Sequence, residues 1–232
     1  MPHLDLRLKT VAKQIHAECH ADVGSDHGNL LVALLKTGRI KTAIAVENKR
    51  QPFENSRKAL LGLKGEARFA DGLKGLAAGE ADSLSICGMG GASIVSILQA
   101  DPDRIPPKII LQPNRGEELV RRWAISNDFH LVEEQIAWGH WPYAVLTYRS
   151  GLGKDPAYAN DHREAALMFG PFNIRRCEPK FVEQLVGERR YLRALKRLNN
   201  TTHRRLEMIE HLLHQKQLYA PFKQNAEPSV DE

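Results

Sequence analysis

A turn that carries two aspartates and two glycines lies near the start of the chain, between a predicted strand and a predicted helix. Its sequence is Asp22-Val23-Gly24-Ser25-Asp26-His27-Gly28. Glycine lets the backbone come close to a bound nucleoside, and a helix start offers unpaired N–H groups. Asp26 stands where a dinucleotide-binding turn has its second glycine, and a carboxylate there repels a pyrophosphate but attracts a cationic sulfonium. The turn therefore disfavours NAD and favours S-adenosylmethionine.

Two further acids follow later strands. Glu47 ends the predicted second strand, roughly 20 residues after the glycine turn, where an acid can hydrogen-bond the ribose hydroxyls of a nucleoside. Asp71 and Gly72 follow a short third strand, where the acid can accept from an adenine amine and the glycine leaves room for the ring. Each acid alone is equally well explained as a solvated carboxylate. Three acids at three strand ends favour a ligand, and Asn48, next to Glu47, joins the predicted cofactor-binding residues.

Two more turns follow the predicted fourth and fifth strands. The first, Cys87-Gly88-Met89-Gly90-Gly91, implies close backbone approach to a ligand or to a neighbouring strand, and both interpretations remain open. We assign Gly88, Met89 and Gly90 to the cofactor, although Met89 could equally belong to the core. In the second turn, Leu111-Gln112-Pro113-Asn114, proline stops the strand and two amides lie at the carboxyl edge, where open α/β sheets bind their ligands.

The elements that position these residues alternate between strand and helix. An amphipathic helix at Arg7–Ile15 precedes the first strand, and strand-then-helix repetition indicates a parallel sheet. The predicted strands are Cys19–Val23, Thr42–Val46, Ser83–Cys87 and Ile109–Gln112, and the predicted helices are Asn29–Thr37, Pro52–Gly62, Ala92–Ala100 and Gly116–Asn127. His130–Trp138 and Tyr143–Tyr148 then form a predicted antiparallel hairpin. This order is typical of an α/β, Rossmann-like methyltransferase, and we place that domain at residues 1–152.

The pattern becomes helical after residue 153, and we predict a basic helical domain at 153–220 and a disordered tail at 221–232. Apolar residues at heptad spacing fit either one long helix or two antiparallel ones. Asn199-Asn200-Thr201-Thr202 combines a turn dipeptide with a possible N-cap and favours a helical hairpin.

The basic charge is concentrated in this helical segment. Between Pro179 and Tyr219, nine Lys or Arg less four Glu equals the chain's whole formal charge of +5. Such a segment is suited to RNA phosphates, with a solvated helix face as the alternative. The predicted substrate-binding residues are Arg7, Arg189, Arg190, Arg193 and Arg197.

Composition excludes several other classes. The chain is 42% hydrophobic and 26% charged, which is ordinary for a globular protein with a sizeable core. Three separated cysteines predict neither a zinc site nor disulfides, and no apolar run reaches the ~18 residues of a membrane span. We expect a cytoplasmic monomer that uses no metal and no membrane.

Taken together, the motifs D-V-G-S-D-H-G, C-G-M-G-G and I-I-L-Q-P-N resemble those of the bacterial tRNA (adenine-22-N1)-methyltransferase family. Gly170-Pro171-Phe172 resembles a feature of that family's second domain. The resemblance implies a seven-stranded catalytic domain, a coiled-coil-like helical domain, S-adenosylmethionine as the methyl donor, and tRNA as the substrate. It assigns Asp26 as the catalytic acid or base, with His27 and Asn114 as further candidates. It places Asp22, Gly24, Glu47, Asp71, Gly72 and Met89 along the cofactor.

Three other hypotheses remain open at this point. The chain could bind RNA through a methyltransferase fold without turnover, or it could methylate a small molecule and use its basic helices for oligomerisation. A nicotinamide-dependent enzyme is the third.

Overall fold

The computed structural model describes residues 2–159 and 163–214. These residues form two compact units, and the first ends at Ala159, whereas the sequence pattern predicted the boundary at about residue 152. The predicted tail at 221–232 lies outside the described residues. None of the described helices combines the length and apolarity that a bilayer crossing requires.

The first unit is built on a seven-stranded sheet in the order β3-β2-β1-β4-β5-β7-β6. The strands β1 to β5 are parallel, and β7 is antiparallel to both β5 and β6. The strands are β1 Ala17–Val23, β2 Ile40–Glu47, β3 Gly65–Phe69, β4 Ser83–Gly90, β5 Lys108–Arg115, β6 Phe129–Trp138 and β7 Pro142–Ser150. The predicted parallel sheet with an antiparallel hairpin at one edge is confirmed.

Among the described residues, five α-helices accompany the sheet and four more belong to the second unit. The first five are α1 Leu6–Gln14, α2 Asn29–Lys36, α3 Arg50–Ala59, α4 Gly91–Ala100 and α5 Glu117–Ser126. The other four are α6 Arg163–Phe169, α7 Pro171–Arg176, α8 Pro179–Ala194 and α9 Asn200–His214. Helix α1 begins where the Asp5 carboxylate accepts the Leu8 N–H at 2.7 Å, which satisfies one of the free donors of a helix start.

Both faces of the sheet are buried, as a parallel sheet requires. On one face Ala43, Ala45 and Ile110 pack with residues of α1 and α2. The alternate residues of the same strands, Ile44 and Ile109, are also buried. Because successive strand residues point to opposite faces, these strands have nearly continuous apolar sequences. The polar side chains that follow them are left at the strand ends.

In the second unit, a break at residues 195–199 separates α8 from α9, so the region is not one long helix. The Asn199 side chain accepts the Thr202 N–H at 2.9 Å, which is the capping bond that the sequence suggested. Helices α8 and α9 contact each other, and Arg193 pairs with Glu210 across them at 2.6 Å. The coiled-coil-like character of this unit stays a prediction.

A buried ion pair joins α5 to β6. Arg121 donates to the Glu134 carboxylate at 2.8 Å, and the two residues are 1% and 0% exposed. Buried charges are tolerated only when they are paired, because removing one partner leaves the other desolvated and uncompensated.

We therefore expect Glu134→Gln to lower the free energy of unfolding by about 3–5 kcal/mol, measured by denaturant titration. Glu18→Gln is the matched control, since Glu18 pairs with Lys41 on the surface, where both side chains are about 70% exposed. That control should leave the unfolding midpoint unchanged. Equal losses in the two variants would contradict a special role for the buried pair.

Candidate active site

The carboxyl ends of the parallel strands bring the predicted acids to one edge of the sheet. The turn after β1 is tied to β2 by the Gly24 N–H, which donates to the Val46 carbonyl at 2.9 Å. The segment after β3 is tied to β2 in the same way, by the Ala70 N–H donating to the Glu47 carbonyl at 3.0 Å. Asp22, Glu47 and Asp71 therefore lie at or just beyond the carboxyl ends of three adjacent strands, each about two residues further along than the last.

Asp22 is the most deeply placed of these acids, with 4% of its surface exposed. Its carboxylate accepts a hydrogen bond from the Ser85 hydroxyl on β4 at 2.5 Å. Burial raises the pKa of Asp22, and the hydrogen bond from Ser85, together with the nearby Ser25 hydroxyl and Arg7 guanidinium, opposes that rise. The carboxyl group is thus fixed in direction before any ligand arrives.

Glu47 is 6% exposed and binds the turn itself, because one of its carboxylate oxygens accepts the Asp26 N–H. Burial raises the pKa of Glu47; the Asp26 N–H opposes the rise, while the charges of Asp22 and Asp26 add to it. Asp26 adopts the left-handed conformation, with φ of 57°. This uncommon backbone for a residue with a Cβ turns its amide towards Glu47.

Asp26 and His27 project from the turn into solvent. Their side chains are 67% and 62% exposed, and the His27 Nε2 lies 3.5 Å from the Asp26 carboxylate. The other ring nitrogen of His27 lies 3.4 Å from the Asn55 amide on α3. These two of the three predicted catalytic side chains are therefore accessible to a large substrate at the rim.

Asn48 directly follows β2, and its side-chain amide donates to the carboxylate of Asp71, just after β3, at 3.0 Å. Gly72 follows with φ of 56°, in the left-handed region that favours glycine. These three predicted cofactor residues lie together.

Gln112 organises the opposite side of the edge. Its side-chain oxygen accepts from the Gly88 N–H at 3.0 Å and from the Arg7 guanidinium at 2.6 Å, and its amide donates to the Asn114 side chain at 3.2 Å. Asn114 in turn donates to the Gly88 carbonyl at 2.7 Å. The glycine segment at the end of β4 is therefore held by side chains of β5 and α1. It still pairs with β5, which continues through Pro113 to Arg115, so the prediction that proline stops this strand was wrong.

Arg7 has a structural partner in this arrangement. Its side chain is 23% exposed and bridges from α1 to Gln112, while its charge offsets part of the burial of Asp22. Its assignment to the substrate stays a prediction.

Met89 and Gly24 are in close proximity across the site. A Cβ built on Gly24 would lie 2.3 Å from the Met89 terminal methyl group. Met89 therefore covers the turn as a side wall, and glycine at position 24 is what allows it to do so. Gly90, at the start of α4, has open space in front of it.

The set of donors and acceptors fits a cationic nucleoside. Carboxylates at the ends of β1, β2 and β3 offer acceptors for an amine, for ribose hydroxyls and for an adenine amine. Two of them are buried with raised pKa values, so a positive charge placed beside them would favour their ionised forms. An anionic pyrophosphate would meet the opposite electrostatics.

The predicted phosphate-binding arginines belong to α8 and the segment that follows it. Arg190 and Arg197 are exposed, and Arg193 pairs with Glu210. Arg189 is half-buried and already interacts with another group of the protein.

Comparison with known proteins identifies the family of this chain. A methyltransferase domain family matches residues 4–146. The tRNA (adenine(22)-N(1))-methyltransferase of Bacillus subtilis (strain 168) is 32% identical over 200 residues, which cover 83% of this chain and 84% of the relative. This chain belongs to the tRNA (adenine(22)-N(1))-methyltransferase family.

Solved structures of the tRNA (adenine(22)-N(1))-methyltransferase family extend the likeness to the whole fold. The crystal structure of the B. subtilis tRNA methyltransferase TrmK matches with a TM-score of 0.80 and 28% identity, covering 92% of this chain and all of that one. A Streptococcus pneumoniae protein crystallised in complex with S-adenosyl-L-methionine matches with a TM-score of 0.79 and 30% identity, covering 91% of this chain and all of that one. The family resemblance stated from the motifs is confirmed.

Sequence reasoning missed three residues that shape the site in this family member. Gln112 was noted only as an amide at a strand end, His20 was interpreted as a surface or core histidine that binds no ligand, and Ser85 was not assigned any role. The available signal was their polarity inside strands that are otherwise apolar, since buried polar side chains need partners.

We expect Gly24→Ala to weaken binding of S-adenosylmethionine, the cofactor that the sequence predicts, by about tenfold in calorimetry, a loss of roughly 1.4 kcal/mol. The reason is that the new methyl group forces Met89 aside. Gly62→Ala is the matched control, because Gly62 has φ of 77° against 78° for Gly24 but no atom within 4 Å of the point that a Cβ would occupy. Both variants should lose about 1 kcal/mol of stability from left-handed backbone. Unchanged cofactor affinity in Gly24→Ala would remove Met89 as a wall of the site.

Proposed function

We propose that this protein transfers the methyl group of S-adenosylmethionine to N1 of an adenine in tRNA, at position 22 as in its B. subtilis relative. The observation that carries the proposal is the meeting of Asp22, Glu47 and Asp71 with Asp26 at one sheet edge, in a chain of this family. The bound cofactor supplies the electrophilic methyl group. Side chains of this protein bind the cofactor, position the adenine and stabilise the charge that develops on it.

Each of the three strand-end acids binds a different part of the cofactor. Glu47 accepts from the ribose hydroxyls, Asp71 accepts from the adenine amine, and Asp22 faces the positive end of the molecule. Gly24 and Gly72 leave space for close backbone approach. Met89 forms the side wall.

Adenine N1 already carries a lone pair at neutral pH, so the reaction needs no metal and no prior deprotonation of the base. Holding N1 in line with the methyl group supplies most of the acceleration. The methylated ring is cationic, and Asp26 stabilises this charge by accepting from the adenine N6 amine. Asn114, at the opposite side of the edge, is the candidate amide platform for the base.

Because N1 lies on the pairing edge, the target adenine must leave its stack before it reacts. The turn between β6 and β7 lies at the carboxyl edge, since β7 begins there and runs antiparallel to β5. Trp141 in this turn is 64% exposed and makes an edge-to-face contact with His140. It offers a second, aromatic surface on which a base released from the stack can rest.

The basic helical unit provides phosphate contacts that grip tRNA without reading its sequence. We propose that one chain acts on one tRNA in the cytoplasm. The acids of the first unit then perform the chemistry, and the arginines of the second provide affinity.

The decisive experiment is transfer of labelled methyl from S-adenosylmethionine to unmodified tRNA, compared with the same tRNA carrying guanine at position 22. We expect label only with adenine. Asp26→Asn should lower kcat by about 100-fold while S-adenosylmethionine binds as before, because one charge that stabilises the product is removed. Asp103→Asn, an exposed acid outside the site, is the control and should keep full activity.

Equal labelling of both tRNAs would refute the target position. Absence of labelling in the wild-type protein would refute the proposed function altogether and favour RNA binding without turnover.

For the basic helices, we expect the double variant Arg190→Ala/Arg197→Ala to weaken tRNA binding and to reduce the slope of log K against log salt by about one unit for each phosphate that is no longer bound. S-adenosylmethionine affinity should not change. Lys36→Ala/Lys41→Ala is the matched double control. Both lysines are exposed and lie at the amino edge of the sheet, away from the strand-end acids. An unchanged slope in the arginine variant would assign these helices a role other than RNA binding.

A further inference from the structure

A chain of four polar side chains lies inside the sheet beneath the candidate site. His20 on β1 is fully buried, and its Nδ1 lies 2.7 Å from the Ser83 hydroxyl. Its Nε2 lies 2.9 Å from the Ser85 hydroxyl. Ser85 then donates to the Asp22 carboxylate at 2.5 Å. The chain therefore ends at the acid that faces the cofactor.

The strand register builds this chain. His20 is paired with Ser83 and Asp22 with Ser85 in the parallel ladder between β1 and β4. Because the side-chain period of a strand is two residues, all four side chains point to the same face. Ser83 and Ser85 are also fully buried, so water does not reach the chain at these points.

The direction of each hydrogen bond follows from the protonation states. Ser85 gives its proton to Asp22, so its oxygen must accept from His20. Burial, with a further contribution from Lys108, lowers the pKa of His20 to about 3, so the ring is neutral and has one N–H. That proton lies on Nε2, and Nδ1 accepts from Ser83. All three bonds then point towards Asp22 and polarise one another.

We propose that His20, with Ser83 and Ser85, is a positioning device that fixes the direction of the Asp22 carboxylate and keeps it ionised for the cationic cofactor. This inference rests on the proposed function in one respect, since it takes S-adenosylmethionine as the ligand of Asp22. A purely structural role would tie β1 to β4 and have no consequence for the charge of Asp22.

The two roles differ in their pH dependence. Ser85 is the donor that opposes the effect of burial on the pKa of Asp22, so its loss raises that pKa further. Asp22 then takes up a proton at a higher pH, and affinity for a cation is lost at a higher pH. The groups that face Asp22 are Ser85 and Cys87 on β4, Ser25 in the turn, Glu47 on β2 and Arg7 on α1. The same groups remain in every variant below except the one changed.

The test is calorimetric titration of the full-length protein with S-adenosylmethionine across pH, in the wild type and in four variants. Ser85→Ala and His20→Leu remove a donor from the chain. We expect both to weaken binding about tenfold at neutral pH and to move the pH of half-maximal affinity upward. His20→Gln keeps an N–H that can reach Ser85, so its midpoint should stay close to that of the wild type. Ser83→Ala, one step further from Asp22, should show a smaller shift in the same direction.

Melting temperatures of the same proteins separate positioning from folding. A midpoint that stays fixed in Ser85→Ala and His20→Leu, with affinity reduced equally at every pH, would overturn the positioning role. A variant too unstable to titrate leaves the other three to decide. Wild-type protein that does not bind S-adenosylmethionine would instead overturn the proposed function.

Discussion

The burial of two carboxylates at the carboxyl edge of the sheet is the constraint on which the rest of the site depends. Asp22 and Glu47 lie almost out of contact with water, where an unpartnered charge is costly. Each is held by a donor of the fold itself, the Ser85 hydroxyl for one and the Asp26 amide for the other. The left-handed conformation at Asp26 presents that amide to Glu47. Burial of the two carboxylates disfavours their ionised forms, and a cationic ligand bound beside them favours those forms.

A second set of side chains serves geometry more than charge. Gln112 is a hub on β5 whose two ends bind Gly88, Arg7 and Asn114. Rigid backbone around glycine is unusual, because glycine is the most flexible residue. Here the flexibility is removed by side chains from two other elements. Preorganisation of this kind places reacting groups before the substrate arrives, which is the main source of acceleration when the nucleophile needs no activation.

Much of this could be predicted from the sequence. The alternation of strand and helix, the closing hairpin and the acids at the strand ends follow from local patterns, and the family and fold predictions were confirmed. What local pattern could not supply was register. The pairing of His20 with Ser83 and of Asp22 with Ser85 depends on which residues of two distant strands lie side by side. The partnership of Arg7 with Gln112 depends likewise on how α1 packs against the sheet. The break before Asn200 was predictable because a turn dipeptide and a possible N-cap mark it.

The contact between Arg7 and Gln112 also bears on how the protein is made. These residues are 105 positions apart in the chain, and β1, the strand that supplies Asp22, lies between β2 and β4 in the sheet. On the ribosome the first glycine turn emerges early, but the hub that stiffens its opposite wall arrives only after β5 has left the exit tunnel. A nascent chain therefore has no finished pocket until more than half of it has been synthesised, because β5 ends at Arg115 of 232 residues and must then clear the tunnel. Cofactor binding is in this sense a late event of biosynthesis, because it requires that the central strands have already paired.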